Sequence, residues 1–320
     1  MQLLLLLACQ PLPTEPSTST DAEVRPDPDP DDASVPSLSW GLGGDPNADP
    51  DPEPEGVFWT GADGEVRGLT ETWSQGSADS PVAFTLPGEG LLEIGPGHWY
   101  VQLYVVADAV IRGSGATVDA GGSGLSLLIE QDDTLLRIED LTLVGGQDGH
   151  SGAIACRESR LELVGVRVSA TEGAYGAVYG YDCELDIEAS GFDVLEGTAV
   201  YVEGGSALLR DTTFEAVGNA LHARGGVVWM HEVDVLDSTA VGLRIELDAE
   251  VSWTGGAFRG NGGNGYGSSF LYGGVLDLAG IEVDNEGHDV WVIPADLQYE
   301  REGVVSLRCD DKGCEDSTGD

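Results

Sequence analysis

Hydrophobic and polar positions alternate in a pattern that repeats between Ala109 and Val292. Seven segments share an apolar-x-apolar start, followed after four residues by another apolar or aromatic residue. The central apolar residues, or anchors, are Ile138, Leu163, Ile187, Leu209, Met230, Trp253 and Leu278. They step by 25, 24, 22, 21, 23 and 25 positions. A period in this range predicts a solenoid, in which each unit buries its apolar face against its neighbours.

Within each repeat the apolar residues alternate with a period of two, which predicts strands. Gly, Asp, Ser and Thr separate the segments and favour turns. A second short strand is predicted after each first one, at Ala153–Cys156, Ala177–Tyr179, Ala199–Val202, Ala220–Ala223, Leu243–Ile245, Ser269–Leu271 and Val290–Val292. Two or three strands per coil of ~22 residues predict a parallel β-helix with coils stacked ~4.8 Å apart.

The stretch Val57 to Val305 resembles the right-handed parallel β-helix family, the pectate-lyase-like superfold. The segments Gly95–Tyr100 and Val110–Asp119 also resemble the opening coil of that family. This resemblance implies an all-β, single-stranded right-handed parallel β-helix. It does not imply one activity, because the superfold carries many.

Four regions are predicted: a signal peptide with a lipobox (1–9), an acidic Pro-rich linker (10–56), the β-helix (57–308) and a Cys-stapled acidic tail (309–320). In the linker, Pro alternates with Asp or Glu at 26–32 and 49–55. Proline removes backbone donors and the carboxylates repel one another, so this segment cannot build a core. We expect a disordered, extended N-terminal stalk.

The chain begins with an apolar run that is too short to span a bilayer. Leu6-Leu7-Ala8-Cys9 resembles the lipobox of bacterial lipoproteins, in which the Cys becomes the lipidated first residue. Secretory signals normally carry a basic residue before the apolar run, and none precedes it here. An accidental apolar N-terminus is the alternative. The resemblance implies a protein of the bacterial cell envelope that is lipid-anchored through Cys9, or is otherwise secreted.

The formal net charge of -43 narrows the classes of partner. Such an excess of carboxylates repels nucleic acid and anionic membranes. It also opposes an anionic polysaccharide unless cations bridge the two. We therefore expect no nucleic-acid partner, contact with a membrane only through the lipid anchor, and a monomer.

Without Cys9 the cysteines form an even set of four, which suits an oxidising compartment. Cys309 and Cys314 are close in sequence, and Cys156 and Cys183 fall on neighbouring coils. The second pair can bridge only if its Cα atoms come within ~7 Å. Disulfides are preferred over zinc, because no cysteine has metal-site spacing with His.

Three carboxylates, Glu162, Asp186 and Glu188, share the outward face of the first strands. Stacked coils would place Glu162 and Asp186 about 5 Å apart. A separation of this size between two carboxyl groups is typical of a retaining glycosidase. The same oxygens could instead hold calcium. The other alternative is an acidic face exposed to solvent, which has no catalytic role. No other cofactor is expected.

A second candidate is an outward column on the second strands. It reads Ala155, Tyr179, Tyr201, His222, Arg244, Phe270 (if the register holds) and Trp291. Aromatic side chains stacked at coil spacing could lie against sugar rings. An aromatic ladder that only stacks on itself is the alternative. We take Tyr179, Tyr201, His222, Arg244 and Trp291 as candidate ligand-binding residues.

These patterns favour an exported β-helix protein without catalytic activity, which binds a polysaccharide or a surface protein along its coil face. The alternative is a carbohydrate-active enzyme, either a glycoside hydrolase or a polysaccharide lyase, that uses the three carboxylates. The sequence predicts the architecture far more strongly than the ligand.

Overall fold

A computed structural model describes residues 55–121, 125–129, 131–145, 152–169, 172–173, 176–193, 196–262, 269–285, 288–293, 295–300 and 302–316. The chain divides into two units, Met1–Asp51 and Pro52–Asp320, and all described residues belong to the second. The predicted lipobox with Cys9 and the predicted linker up to residue 54 lie outside the described residues. Within them, no helix is long and apolar enough to cross a membrane.

The second unit is a β-solenoid of about eight turns, as the repeat predicts. Each turn contributes strands to three faces, and each face stacks parallel strands from successive turns. The first face and its continuations contain Gly90–Ile94, Ala109–Asp119, Leu135–Val144, Arg160–Val164, Glu184–Glu188, Ser206–Arg210, Val227–Leu236, Leu243–Arg259 and Ser269–Asp284.

The second face is built from short strands and from the continuations of the longest first-face strands around a corner. Its own strands are the start of Gly97–Val105, then Arg167–Ser169, Gly191–Asp193 and Thr213–Glu215. The third face contains Val82–Thr85, the end of Gly97–Val105, Leu127–Ile129, Ile154–Arg157, Val178–Tyr181, Glu196–Glu203, Asn219–Arg224, the starts of Leu243–Arg259 and Ser269–Asp284, and Val290–Ile293. A two-residue strand, Glu172–Gly173, pairs with the start of Glu196–Glu203.

The anchors form one interior column on the first face. Leu163 pairs in register with Ile138 and Ile187, and the column continues through Leu209, Met230, Trp253 and Leu278. All seven anchors are buried. Full burial of one such side chain contributes roughly 1.5–3 kcal/mol, so a column of them is a main source of stability. The predicted solenoid is therefore confirmed at the level of individual residues.

Left-handed backbone conformations produce the sharp corners between faces. At the corner between the third and first faces, successive turns place Asp133, Glu158, Asp182, Gly204 and Gly225 at positive φ. Glycine adopts this conformation without strain, and Asp tolerates it better than bulky residues do. The Gly and Asp residues between the predicted strands thus set the corners of each coil.

Antiparallel hairpins and a short helix cover the two ends of the solenoid. At the N-terminal end, Val57–Gly61 pairs with Gly90–Ile94, Val66–Gly68 pairs with Val57–Gly61, and the helix Thr70–Trp73 follows. At the C-terminal end the antiparallel strands are Leu297–Tyr299, Gly303–Asp310 and Gly313–Asp316. Reversing the strand direction ends the parallel stack and covers its last interior residues. Strand Gly303–Asp310 crosses the boundary that the sequence placed after residue 308.

Both predicted disulfides are present. Cys156 and Cys183 join neighbouring coils with Cα atoms 6.1 Å apart, which satisfies the distance required by the sequence argument. Cys309 and Cys314 lie opposite each other in the C-terminal hairpin, with Cα atoms 4.0 Å apart. One bridge therefore links two coils, and the other closes the last hairpin.

Candidate functional site

The predicted column of outward residues is in register on the third face. Each member pairs with the next across successive strands, and the uncertain member Phe270 falls between Arg244 and Trp291. We call this column the outer stripe; it comprises Tyr179, Tyr201, His222, Arg244, Phe270 and Trp291. Alternate residues of these strands, such as Val200, Val202 and Leu271, fill the interior. The strand period of two thus directs the stripe outward.

Side chains in the outer stripe contact one another along most of its length. The ring centroids of Tyr179 and Tyr201 are 5.4 Å apart, and those of Tyr201 and His222 are 4.6 Å apart. Arg244 places its guanidinium 5.7 Å from the ring centroid of Phe270, whose ring lies 6.0 Å from that of Trp291 in an edge-to-face arrangement. Aromatic and cation–π contacts of this kind each add stability beyond the area they bury.

The two halves of the stripe differ in exposure. Tyr201 is only 3% exposed because Tyr179 and His222 flank it. The side chain of His222 is 13% exposed, whereas that of Arg244 is 44% exposed. Phe270 and Trp291 are half-buried. Tyr179 is half-buried as well, so the difference between the halves lies in the covered Tyr201 and His222 on one side and the exposed Arg244 on the other.

A second outward column runs beside the stripe, two residues further along each strand. Its members are Tyr181, Glu203, Arg224, Glu246, Tyr272 and Ile293. The sequence analysis did not single out this column, although the same period of two specifies it. Tyr272 is the most open large aromatic side chain of the described residues, at 49% exposure. Its neighbours in register are Glu246 and Ile293.

Charged residues of the second column bind to the stripe. Glu246 accepts a 2.7 Å hydrogen bond from Nε of Arg244, and its other oxygen lies 3.3 Å from Nε2 of His222. Tyr179 donates a hydrogen bond to Glu203, which also pairs with Arg224. These contacts hold the stripe side chains in fixed positions, so the surface is largely preformed.

Burial changes the ionisation of several of these groups. It raises the pKa of Tyr179 to about 12, with a further contribution from the Glu203 charge. Burial also lowers the pKa of His222, and the nearby Arg244 charge lowers it further. Burial would raise the pKa of Glu246, but hydrogen bonding and attraction from Arg244 outweigh it and the net shift is downward. At neutral pH Glu246 is therefore ionised beside a neutral His222.

The three candidate catalytic carboxylates lie on the outer side of the first face, and each binds an arginine. Glu162 pairs with Arg137 and Arg160, both at 3.0 Å. Arg210 pairs with both Asp186 at 2.9 Å and Glu188 at 3.0 Å.

Glu162 and Asp186 are neighbours in register, as predicted. Burial raises the pKa of Asp186; Arg210 opposes the rise and the Glu162 charge adds to it. Ion pairs of this kind link neighbouring coils, and this structural role accounts for the arrangement without catalysis. The catalytic hypothesis stays a prediction.

Two grooves lie on the described surface. One, of about 400 Å³, lies where the first face meets the second and is lined by Arg167, Gly191, Asp193, Thr213 and Glu215, among others. The other, of about 510 Å³, lies at the N-terminal cap beside Trp59. Neither is lined by Glu162, Asp186 or Glu188. Among the described residues, no group of three His, Cys, Asp or Glu side chains is arranged to hold a metal ion.

Comparison with known proteins adds one structural likeness. The structure is similar to the crystal structure of PfbA, a surface adhesin of Streptococcus pneumoniae, with a TM-score of 0.36 and 9% sequence identity. The matched region covers 71% of this chain and 91% of PfbA. No protein-family model matches the chain, and no curated protein matches it by sequence. A likeness at this level carries no functional argument.

The lowered pKa of His222 predicts how stability depends on pH. The unfolded chain binds a proton at His222 near pH 6.5, whereas the folded chain does so only at lower pH. Stability contributed by this group is therefore present above about pH 6.5 and is lost as the pH falls toward the folded pKa. We expect the wild type to lose more thermal stability than His222→Gln between about pH 7.5 and about pH 5. Differential scanning fluorimetry at both pH values measures this difference.

A matched control for this experiment is His231→Gln, which changes an exposed histidine on the first face. This variant should follow the wild type at both pH values. Equal losses in the wild type and in His222→Gln would show that His222 does not contribute to acid sensitivity.

Proposed function

We propose that this chain is an exported, lipid-anchored binding protein, without catalytic activity, that recognises a glycan along the outer stripe. The observation that carries the proposal is the stripe itself: aromatic and charged side chains in register across six successive strands of one face. Solenoids use extended faces of this kind for recognition. Aromatic side chains present apolar faces, and the neighbouring charged groups offer hydrogen bonds.

The distribution of charge supports a ligand without strong negative charge. Every arginine among the described residues lies in an ion pair with Asp or Glu: Arg67, Arg112, Arg137, Arg157, Arg160, Arg167, Arg210, Arg224, Arg244, Arg259 and Arg308. An anionic ligand would therefore meet neutralised guanidinium groups on a chain with a net charge of -43. Repulsion at this net charge disfavours anionic partners.

Export and anchoring are the second part of the proposal. The lipobox-like Leu6-Leu7-Ala8-Cys9 supports them, as do two disulfides, which persist in oxidising compartments. The acidic Pro-rich segment would then hold the β-solenoid away from the membrane as an extended stalk. This arrangement would place the outer stripe at the bacterial cell surface or in the envelope.

One experiment with the full chain tests both parts. In the producing bacterium, Cys9→Ala should move the protein from the membrane fraction to the soluble fraction. The soluble Cys9→Ala chain is then applied to immobilised polysaccharides. We expect it to bind at least one of them, and we expect the additional change Trp291→Ala to weaken binding by about tenfold, as loss of a buried aromatic contact does.

The matched control is Trp229→Ala, which removes a half-buried tryptophan from the outer side of the first face. This change should leave the affinity within about threefold of the parent, because a residue outside the contact contributes little. Unchanged membrane association of Cys9→Ala would contradict the lipid anchor. Equal effects of Trp229→Ala and Trp291→Ala on affinity would contradict recognition at the stripe. If the chain captures a protein partner and binds no polysaccharide, the proposal that its ligand is a glycan is wrong.

A further inference from the structure

The C-terminal end of the outer stripe differs from the rest of the stripe. We propose that ligand contact is confined to a terminal patch of Arg244, Glu246, Phe270, Tyr272 and Trp291, and that this patch takes the pyranose rings of a neutral polysaccharide. The inference rests on the proposed function, because it narrows the ligand and the place of binding on the same face.

Exposure locates the contact. In the N-terminal half of the stripe, Tyr201 is 3% exposed and the side chain of His222 is 13% exposed. A ligand could reach the Tyr201 ring only by separating it from its stacked neighbours. In the terminal patch Tyr272 is 49% exposed and the Arg244 side chain is 44% exposed. Tyr179 and Phe270 are both half-buried and the Arg224 side chain is 43% exposed, so the terminal patch is distinguished by Tyr272, the most exposed large aromatic side chain of the described residues.

Geometry gives the terminal patch a shape that suits a ring-shaped ligand. The planes of Phe270 and Trp291 meet at 80° with centroids 6.0 Å apart, so the two rings form a corner rather than a flat stack. Tyr272 lies beside Phe270 on the same strand and on the same side of it. The apolar face of a pyranose ring can rest on such aromatic surfaces while its hydroxyl groups point away.

Fixed polar groups lie at the edge of these rings. Arg244 is held over Phe270 and bound to Glu246, with Nη2 and Oε1 2.6 Å apart. The guanidinium carries five N–H groups and the carboxylate accepts several hydrogen bonds, so the pair can both donate to and accept from adjacent hydroxyl groups. Because the pair is already held in place, little side-chain freedom is lost when a ligand binds.

Charge selects the class of polysaccharide. Arg244 and Glu246 neutralise each other, and the carboxylate of Asp296 accepts a hydrogen bond from Nε1 of Trp291, so the terminal patch offers no excess positive charge to an anion. The surrounding chain is strongly acidic and repels polyanions. Polycations would be drawn to carboxylates elsewhere rather than to this pair. A neutral polysaccharide meets neither obstacle, and it supplies both the apolar ring faces and the hydroxyl groups that the patch can bind.

The experiment compares two tyrosines from the two halves of the stripe in the soluble full-length Cys9→Ala chain. Binding is measured by affinity electrophoresis and isothermal titration calorimetry at constant salt. The panel contains neutral polysaccharides (a β-glucan, a mannan, a galactan and a xylan) and anionic ones (pectate and alginate). We expect binding to at least one neutral polysaccharide and to neither anionic one. Tyr272→Ala should weaken that binding about tenfold, whereas Tyr179→Ala should change it less than about threefold.

Each other outcome overturns a stated part of the inference. If a neutral polysaccharide binds and Tyr179→Ala weakens binding as much as Tyr272→Ala, recognition at the stripe stands but its confinement to the terminal patch is wrong. Preferential binding of pectate or alginate overturns the neutral class. If no polysaccharide in the panel binds the folded chain, both the ligand class and the proposed glycan recognition are wrong. Circular dichroism of each variant confirms that its fold is intact, and Tyr272→Phe separates loss of the ring from loss of the hydroxyl group.

Discussion

Replacing Gly256 with alanine should destabilise this protein severely. Gly256 has φ 94 and lies opposite Val233 in the neighbouring coil. An added Cβ would overlap the backbone carbonyl of Val233, which cannot move without breaking the stack. Strain at positive φ costs about 1–2 kcal/mol and overpacking about 1–3 kcal/mol, so we expect a loss of about 2–5 kcal/mol in the free energy of unfolding. Urea unfolding followed by circular dichroism measures this loss.

Gly191→Ala is the matched control. A Cβ added at Gly191 would meet no atom within 4 Å, and its φ lies outside the left-handed region. The same change of residue type should therefore alter the free energy of unfolding by less than about 0.5 kcal/mol. Similar losses in the free energy of unfolding for Gly191→Ala and Gly256→Ala would refute the argument. They would show that the contact between Gly256 and the neighbouring coil does not cause the loss of stability.

Removing the disulfide between Cys156 and Cys183 should cost more than removing the one in the C-terminal hairpin. The first closes a sequence separation of 27 residues and the second a separation of 5. Loss of chain entropy in the unfolded state then predicts about 3.5 kcal/mol for the first and about 2 kcal/mol for the second. The double variants Cys156→Ala/Cys183→Ala and Cys309→Ala/Cys314→Ala, compared by chemical denaturation, measure these costs.

Location in the fold strengthens this difference. Cys156, Cys183 and Cys309 are all buried, but the first pair links two coils within the stack, so its loss leaves space between neighbouring coils. Cys309 and Cys314 close a hairpin that covers one end, where local opening need not unfold the solenoid. A larger loss in the hairpin variant would show that the end cap, rather than the coil-to-coil link, limits stability.

The candidate site could be predicted only in part. The strand period placed Tyr179, Tyr201 and Trp291 in one outward column, and the structure has them in that register. The same period could not predict that Tyr201 would be covered by its neighbours while Tyr272 stayed open. Exposure depends on which side chains flank a residue on the adjacent coils. That information lies ~22 residues away in the sequence and depends on side-chain conformations.

The carboxylates illustrate the same limit. Spacing placed Glu162 beside Asp186 on adjacent coils, and the structure agrees. Spacing alone did not assign Arg137 and Arg160 to Glu162, or Arg210 to Asp186. A guanidinium on a long side chain can reach several coil positions, so the pairing is settled by packing rather than by register. The pairing decides whether these oxygens are available to a ligand.

By itself the sequence determined the β-solenoid and the column of anchors from Ile138 to Leu278, because a repeated period leaves one way to bury every apolar position. It paired Cys309 with Cys314, but it left the bridge between Cys156 and Cys183 conditional on the distance between their Cα atoms, which the structure supplies. Only the tertiary structure decided which outward residues are open, how the arginines neutralise the carboxylates, and where the stripe changes from closed to exposed. The same spacing of apolar residues recurs in every repeat, and this spacing specifies which side chains lie in the interior. Surface contacts depend on how individual side chains from different coils meet, and no period encodes that.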